Sequence, residues 1–201
     1  MGRFTKNLRL ATFAGAMSLL AGCAVLGGGT PQLDTFVLRA PNMESRAGRG
    51  RLQILIAEPA ALKPLDSENI VIKPGPDSIE YLKGAQWADR LTRLVQVRLA
   101  ETFQRGGSFA GVGTPGQGLA IDYQVVTEIR AFEVRVDGAA RAEADIFVKL
   151  LNDRNGTVRA ARSFTASVPV GSSGNDAYAR ALNEAFGRVA AEIVDWTNAS
   201  I

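Results

Sequence analysis

The sequence contains no histidine and one cysteine among its 201 residues. Histidine is the commonest general base and the commonest metal ligand in proteins, so its absence excludes most schemes for activating a nucleophile and most zinc sites. A single cysteine cannot form a disulfide within the chain, so packing alone must hold the fold together. We therefore expect no catalytic residue, no metal site and no cofactor, and we interpret the chain as a non-enzyme.

The one cysteine, Cys23, ends a segment typical of exported proteins. Three basic residues are followed by an uncharged apolar run over residues 10–20. This order defines a secretory signal peptide, and the run is shorter than the roughly 20 residues that span a bilayer. The segment Leu20-Ala21-Gly22-Cys23 resembles the bacterial lipobox, in which the cysteine sulfur receives a diacylglyceryl group. We predict cleavage between Gly22 and Cys23 and lipidation of Cys23.

Removal of the signal peptide changes the charge of the chain. Of the 23 basic residues, residues 1–22 contain three and they contain no acidic residue, so 20 basic and 20 acidic side chains remain. The sequence pI of about 9.3 is therefore no sign of nucleic-acid binding. We expect partner binding to depend on local patches of charge.

The remaining chain divides into a tether and one domain. Residues 23–34 contain a Gly-rich run without periodicity, which is typical of a flexible linker. Residues 35–201 are long enough for one domain with its own core. Alternating apolar residues predict strands at 35–38, 51–57, 70–72, 79–81, 119–136, 142–150 and 158–168. A change of phase near Arg130 predicts a bulge, and Asn155-Gly156 predicts a hairpin turn.

Two apolar stripes at helical spacing predict helices over residues 86–104 and 176–196. Trp87 and Leu91 begin the first stripe. Half-polar strands favour an antiparallel sheet that is covered on one face. We predict an α+β fold of two layers, in which both amphipathic helices pack on the same face of an antiparallel sheet.

Three groups of residues are candidates for a functional role. The aromatic residues of the helical stripes fit either a core or a groove for an acyl chain or a partner helix, and the pattern does not separate these. Gly111–Gly116 fits G-x-G-x-x-G, but a helix precedes it and a strand follows, so we interpret it as a loop without a nucleotide. Four strand carboxylates alternate with apolar neighbours, which predicts that they face water: Glu128, Glu133, Glu143 and Asp145.

The lipobox and one further block resemble the ABC-type transport auxiliary lipoproteins, periplasmic partners of MCE-domain lipid transporters of the Mla and Pqi type. The block contains a tyrosine, a short gap, a tryptophan and a leucine that opens the first long helix. Tyr81, Trp87 and Leu91 occupy these positions. The chain departs from the family pattern at Phe36. Members of the family commonly have an aromatic pair that includes a tyrosine at this position.

The resemblance implies a lipid-anchored subunit without catalysis that helps to move lipids between the inner and outer membranes. Its implied partners are an MCE-domain protein, an ABC permease and an ATPase, and self-association into a homo-oligomer is left open. Ala24, where an aspartate would signal inner-membrane retention, predicts sorting to the outer membrane. Two alternatives remain: a structural or assembly lipoprotein that binds an outer-membrane protein or the cell wall, and a periplasmic hydrolase, which the missing histidine weakens.

Overall fold

The computed structural model describes residues 32–44, 50–106 and 109–201. The signal peptide, Gly22, Cys23 and the tether as far as residue 31 lie outside the described residues, so their assignments stay predictions. Leu33–Ile201 form one unit. Its strands are β1 (Asp34–Phe36), β2 (Gln53–Ile56), β3 (Ala60–Ala61), β4 (Asn69–Gly75), β5 (Ser78–Trp87), β6 (Gly111–Gly113), β7 (Tyr123–Arg135), β8 (Arg141–Asn152) and β9 (Val158–Pro169). Its helices are α1 (Leu91–Gly106) and α2 (Asn175–Ser200).

β7 lies in the middle of the sheet and is hydrogen-bonded along both edges. One edge pairs with β8 in antiparallel fashion over the length of both strands, and β8 pairs in the same way with β9. The other edge is shared by three short partners, because β2, β3 and β4 each pair with a different part of β7 in parallel fashion. β5 extends the sheet from β4 and carries β1, while β6 lies beside β2.

The last three strands form the predicted meander. The register of β7 against β8 shifts between Ile129 and Ala131, so the predicted bulge near Arg130 is confirmed. The chain turns back between β8 and β9 at the predicted hairpin, where Gly156 has a φ of 70°. Glycine adopts this left-handed conformation without the steric cost that a side chain adds.

The predicted α+β fold is confirmed, and its sheet is mixed, because parallel pairings lie beside the predicted antiparallel ones. β2 and β7 run parallel, and the chain between them passes through α1 and β6. Parallel neighbours need such a long crossover connection. The pattern of apolar residues within one strand does not reveal which distant strand will pair with that strand.

The two-layer arrangement is confirmed. α2 packs across β7, β8 and β9, and α1 packs against β2, β6 and α2. The alternate residues of β8 beneath α2 are buried, from Ala142 to Leu150. Leu182, Phe186 and Val189 of α2 are fully buried as well. Burial of this apolar area is the main stabilising contribution to the domain.

The first helix begins five residues later than predicted. Trp87 ends β5, and its N–H donates a hydrogen bond to the carbonyl of Glu68 at 2.7 Å. The N–H of Ala88 donates to the carbonyl of Phe36 at 2.7 Å. These contacts with distant residues keep the segment extended as far as Trp87, although its spacing from Leu91 fits a helix.

Most helix-stripe aromatics belong to the core. Trp87 is 1% exposed and contacts Phe132 edge to face, with 6.0 Å between ring centroids. Phe103 and Phe186 are equally buried, and Phe132 links Phe186 to the same cluster. Tyr178 and Trp196 are half-buried and pack against this core. The structure therefore favours the core over the groove as the role of these side chains.

We expect Trp87→Ala to lower the free energy of unfolding by about 3–5 kcal/mol, since it empties a large volume in the packed core. Tyr81→Ala is the matched control on the same strand, because the Tyr81 side chain is 47% exposed and surface truncations cost about 0.5 kcal/mol. Urea denaturation of residues 24–201 measures both. Equal losses in the two variants would contradict the core assignment of Trp87.

Candidate interaction surface

The face of β7, β8 and β9 turned away from α2 is here called the open face. The strand register places its residues in rows across the three strands. From one end to the other these rows are Val126, Lys149 and Ala161; Glu128, Phe147 and Ser163; Ala131, Asp145 and Thr165; Glu133, Glu143 and Ser167. All are half-buried or exposed except Glu133, so this surface is available for contact with another molecule.

An arginine crosses the middle of the open face. Arg130 lies at the bulge of β7, and its guanidinium stands 4.2 Å from the centroid of the Phe147 ring on β8. The same side chain donates a hydrogen bond to the hydroxyl of Ser163 on β9 at 3.3 Å. Lys149 approaches the ring as well, at 5.7 Å. The Arg130 guanidinium also donates to the carboxylate of Glu128 at 3.4 Å, so the centre of the surface is an aromatic patch that carries charges of both signs.

A cluster of charges lies where β7 and β8 meet at their hairpin. Arg135 is paired with Asp137, and Arg141 donates to Glu143 at 2.8 Å and contacts Asp137 at 3.2 Å. The hydrogen bond from Arg135 is the largest influence on Asp137 and lowers the pKa of that carboxyl. Arg135 and Arg141 lie directly opposite each other, and the carboxylates of Asp137 and Glu143 offset the repulsion between these like charges.

Glu133 corrects one prediction, because it does not face water. Its side chain lies on the open face but is only 8% exposed. Burial is the largest influence and raises the pKa of Glu133, although Lys73 and Arg135 lower it. β4 places Val71 directly beside Glu133, which explains the burial. The other three carboxylates are half-buried or exposed.

We expect the stability of Glu133→Gln relative to the parent to increase as pH rises from the ordinary glutamate pKa through the raised pKa of the folded protein. The folded parent holds this proton at higher pH than the unfolded chain does, so the parent loses stability as pH rises through that interval. Glutamine has no proton to lose. Urea denaturation at a series of pH values measures the difference between the two proteins.

Asp137→Asn is the matched control for that experiment. The pKa of Asp137 is lowered in the folded protein, so its contribution is present above the ordinary aspartate pKa and is lost as pH falls. The free energy of unfolding of the Asn variant should therefore fall relative to that of the parent as pH rises. If Glu133→Gln showed this same slope, Lys73 and Arg135 would outweigh burial at Glu133.

The three residues of the predicted family block lie in different environments. Trp87 and Leu91 are each 1% exposed, whereas Tyr81 is 47% exposed. Tyr81 pairs with Val71 across β4 and β5, in the row that continues to Glu133. Ile79, two residues earlier on the same strand, is also exposed. Tyr81 and Ile79 thus form an apolar step at the side of the open face.

The first part of β5 also has a free backbone edge within the described residues. β1 pairs with β5 only over residues 85–87, so Ser78–Gly84 have β4 on one side and no strand on the other. The sequence predicted a strand here only at residues 79–81. The longer extent depends on pairing with β4, and the exposure of Tyr81 follows from it.

Over residues 32–44, 50–106 and 109–201, no three metal-ligating side chains lie close enough together to hold an ion. The same residues include no helix long and apolar enough to cross a membrane. Part of the predicted glycine loop is the short strand β6, where Gly111–Gly113 pair with β2.

The sequence did not reveal which charged residues of β7 and β8 lie opposite each other. Glu133 and Glu143 are ten residues apart in the chain and become direct neighbours through the β7–β8 register. The bulge at Arg130 moves this register by one residue, so the neighbours could be found only after the bulge is placed. The change of phase near Arg130 was the one signal in the sequence that pointed to it.

The family model described as the ABC-type transport auxiliary lipoprotein component matches residues 36–194. The chain belongs to this family. The match includes β5, the open face and most of α2. This confirms the family that the tyrosine–tryptophan block predicted, a family described as auxiliary lipoproteins of ABC-type transport.

This chain is similar over most of its length to one relative and to two solved structures. It is 33% identical to the uncharacterized protein bll6063 of Bradyrhizobium diazoefficiens over 186 residues, which are 89% of this chain and 49% of bll6063. The chain thus spans about half the length of that relative. The crystal structure of XCC0632 from Xanthomonas campestris is similar, with 26% identity, a TM-score of 0.75 and coverage of 84% of this chain and 95% of XCC0632. CT253 from Chlamydia trachomatis shares the fold at 11% identity, with a TM-score of 0.56 and coverage of 75% and 97%.

Proposed function

We propose that this auxiliary lipoprotein is a non-catalytic accessory subunit of an MCE-type ABC lipid transport system that works between the inner and outer membranes. Membership of the family supports a role beside an ABC transporter. The observation that carries the proposal is the exposure of Tyr81 beside the open face. Trp87 and Leu91 of the same block are buried in the core. Tyr81 is therefore the residue of this block that a partner can contact.

The surface supports contact with a protein over a broad area. The helix-stripe aromatics that could have lined an acyl-chain groove are packed into the core. What remains accessible is a sheet face with the patch of Arg130 and Phe147 and the step of Tyr81 and Ile79. Aromatic residues and arginine are the side chains enriched at protein interfaces. In this proposal the MCE-domain protein or its permease and ATPase complex binds this area.

The lipid on Cys23 holds the domain at the outer membrane in this proposal, because Ala24 is not a retention signal. The first strand begins at Asp34, and the predicted tether of about 11 residues would have a root-mean-square length of about 20 Å. The domain therefore stays beside the leaflet that contains the lipid. Its transport partners must reach it there, and the anchor raises its effective concentration for them.

We expect Cys23→Ser to abolish incorporation of labelled palmitate and to leave the signal peptide uncleaved, since the sulfur is the acceptor of the lipid. Metabolic labelling and the mobility of the protein on a gel measure both. Ser18→Ala, in the apolar run, is a control that should be lipidated and cleaved as the parent is. Equal labelling of the parent and the Cys23 variant would refute the anchor.

We expect Tyr81→Ala to fold as the parent does but to reduce co-purification of the MCE-domain protein by about tenfold or more, as loss of a well-buried interface tyrosine does. Leu119→Ala is the control, because Leu119 is an exposed apolar residue outside the open face. Unchanged co-purification would remove Tyr81 from the interface.

A deletion strain tests the proposal as a whole. Loss of the gene should change the distribution of lipids between the two membranes, and the parent gene should restore it. If lipid distribution is unchanged while one outer-membrane protein fails to assemble, the chain is an assembly lipoprotein and the proposal is wrong.

A further inference from the structure

β9 forms a long edge of the sheet. It pairs with β8 along one side, and within the described residues no strand pairs with its other side. Natural edge strands are usually short, or are interrupted by proline, bulges or charges, because an exposed edge is a template for another strand. β9 has twelve residues, and its proline is the last of them. Its register shift and its two charged residues, Arg159 and Arg162, all lie in its first half. Residues 163–168 therefore offer an open edge for strand addition.

A cleft of about 280 Å³ lies beside this edge on the open face. Asp145 of β8 is in its wall, together with Ala131 and Thr165 from the neighbouring strands. These three residues form one row of the sheet. Because alanine and threonine are small, the space above the carboxylate is open towards β9.

The carboxylate of Asp145 has an unused acceptor. Its Oδ1 atom is shielded from solvent and accepts no hydrogen bond from any described residue. The next carboxylate along β8, Glu143, is instead engaged by Arg141. A half-buried carboxylate that pairs with no cation of the described residues is costly, and a cation brought beside it compensates its charge.

The row that contains Asp145 and Thr165 shows where such a cation can come from. A strand added to β9 would place one residue opposite Thr165, about 10 Å from the backbone of Asp145, which is two strand spacings. A side chain at that position points to the same face as Thr165. A lysine or arginine there can pass over the short threonine and reach the carboxylate.

We propose that β9 binds an extended strand of another protein and that Asp145 selects a lysine or arginine of this strand, opposite Thr165. A second copy of this chain that paired through its own β9 would not supply that cation. The open-face residues of β9 beside the cleft are Ala161, Ser163, Thr165 and Ser167. Arg162 instead stacks 5.0 Å from the Phe164 ring, and Arg159 donates to the carbonyl of Ser200 at 3.2 Å. The inference depends on β9 and Asp145 and applies whichever transporter the protein serves.

A cyclic β-hairpin peptide tests this directly, because its outer strand is already ordered and loses little entropy on binding. The outer strand alternates threonine and valine around a central lysine, and a twin peptide has norleucine in its place. Each is titrated into ¹⁵N-labelled mature protein and followed by NMR. We expect amide shifts concentrated on β9 and about tenfold tighter binding of the lysine peptide, which corresponds to about 1.4 kcal/mol.

Three variants assign that preference to the cleft. Asp145→Asn should bind both peptides equally with the shifts still on β9. Glu128→Gln, an acidic residue of the open face outside the cleft, should keep the preference. Thr165→Lys should remove the preference, because the new lysine can form an ion pair with Asp145 from within β9. The same ion pair should raise the melting temperature of this variant.

Several results would overturn the proposal. They are a failure of both peptides to bind, shifts away from β9, an equal affinity for both peptides in the parent, or a preference for lysine that persists in Asp145→Asn. Concentration-dependent dimerisation of the free protein with broadening of the β9 amides would assign the edge to a second copy instead.

Discussion

The backbone of β7 must be hydrogen-bonded along both edges, because buried amide and carbonyl groups without partners cost more than the whole domain can tolerate. β8 meets this requirement on one side with a continuous antiparallel ladder. On the other side it is met by three short strands from separate parts of the chain, β2, β3 and β4. The parallel pairings, the crossover through α1 and the position of β5 at the side of the sheet all follow from this arrangement.

The same arrangement separates a structural face from a contact face. Both helices lie on one side of the sheet, where Trp87, Phe132 and Phe186 connect the sheet to α2. The other side is left with side chains that pair across strands. There Arg130 reaches over Phe147 to Ser163 and joins all three strands of the meander. A surface fixed in this way changes little when a partner binds, which lowers the entropic cost of association.

The candidate site could be predicted from sequence only in part. The tyrosine–tryptophan block identified the family and named Tyr81, but the helical stripe placed Trp87 on the wrong element. The carboxylates of β7 and β8 were found as residues, yet the burial of Glu133 and the unused oxygen of Asp145 depend on neighbours in other strands. These neighbours are set by register, and a shift of one residue exchanges the two faces of a strand.

The sequence by itself determined the features that depend on near neighbours in the chain. They include the α+β composition, the meander, the bulge near Arg130 and the Asn155-Gly156 turn, because alternation and turn chemistry act over a few residues. The tertiary structure decided the mixed sheet, the start of α1 at Leu91 and the exposure of Tyr81. Each of these depends on hydrogen bonds between segments far apart in the chain, such as that from Trp87 to Glu68, and local propensity yields where such bonds stabilise another conformation.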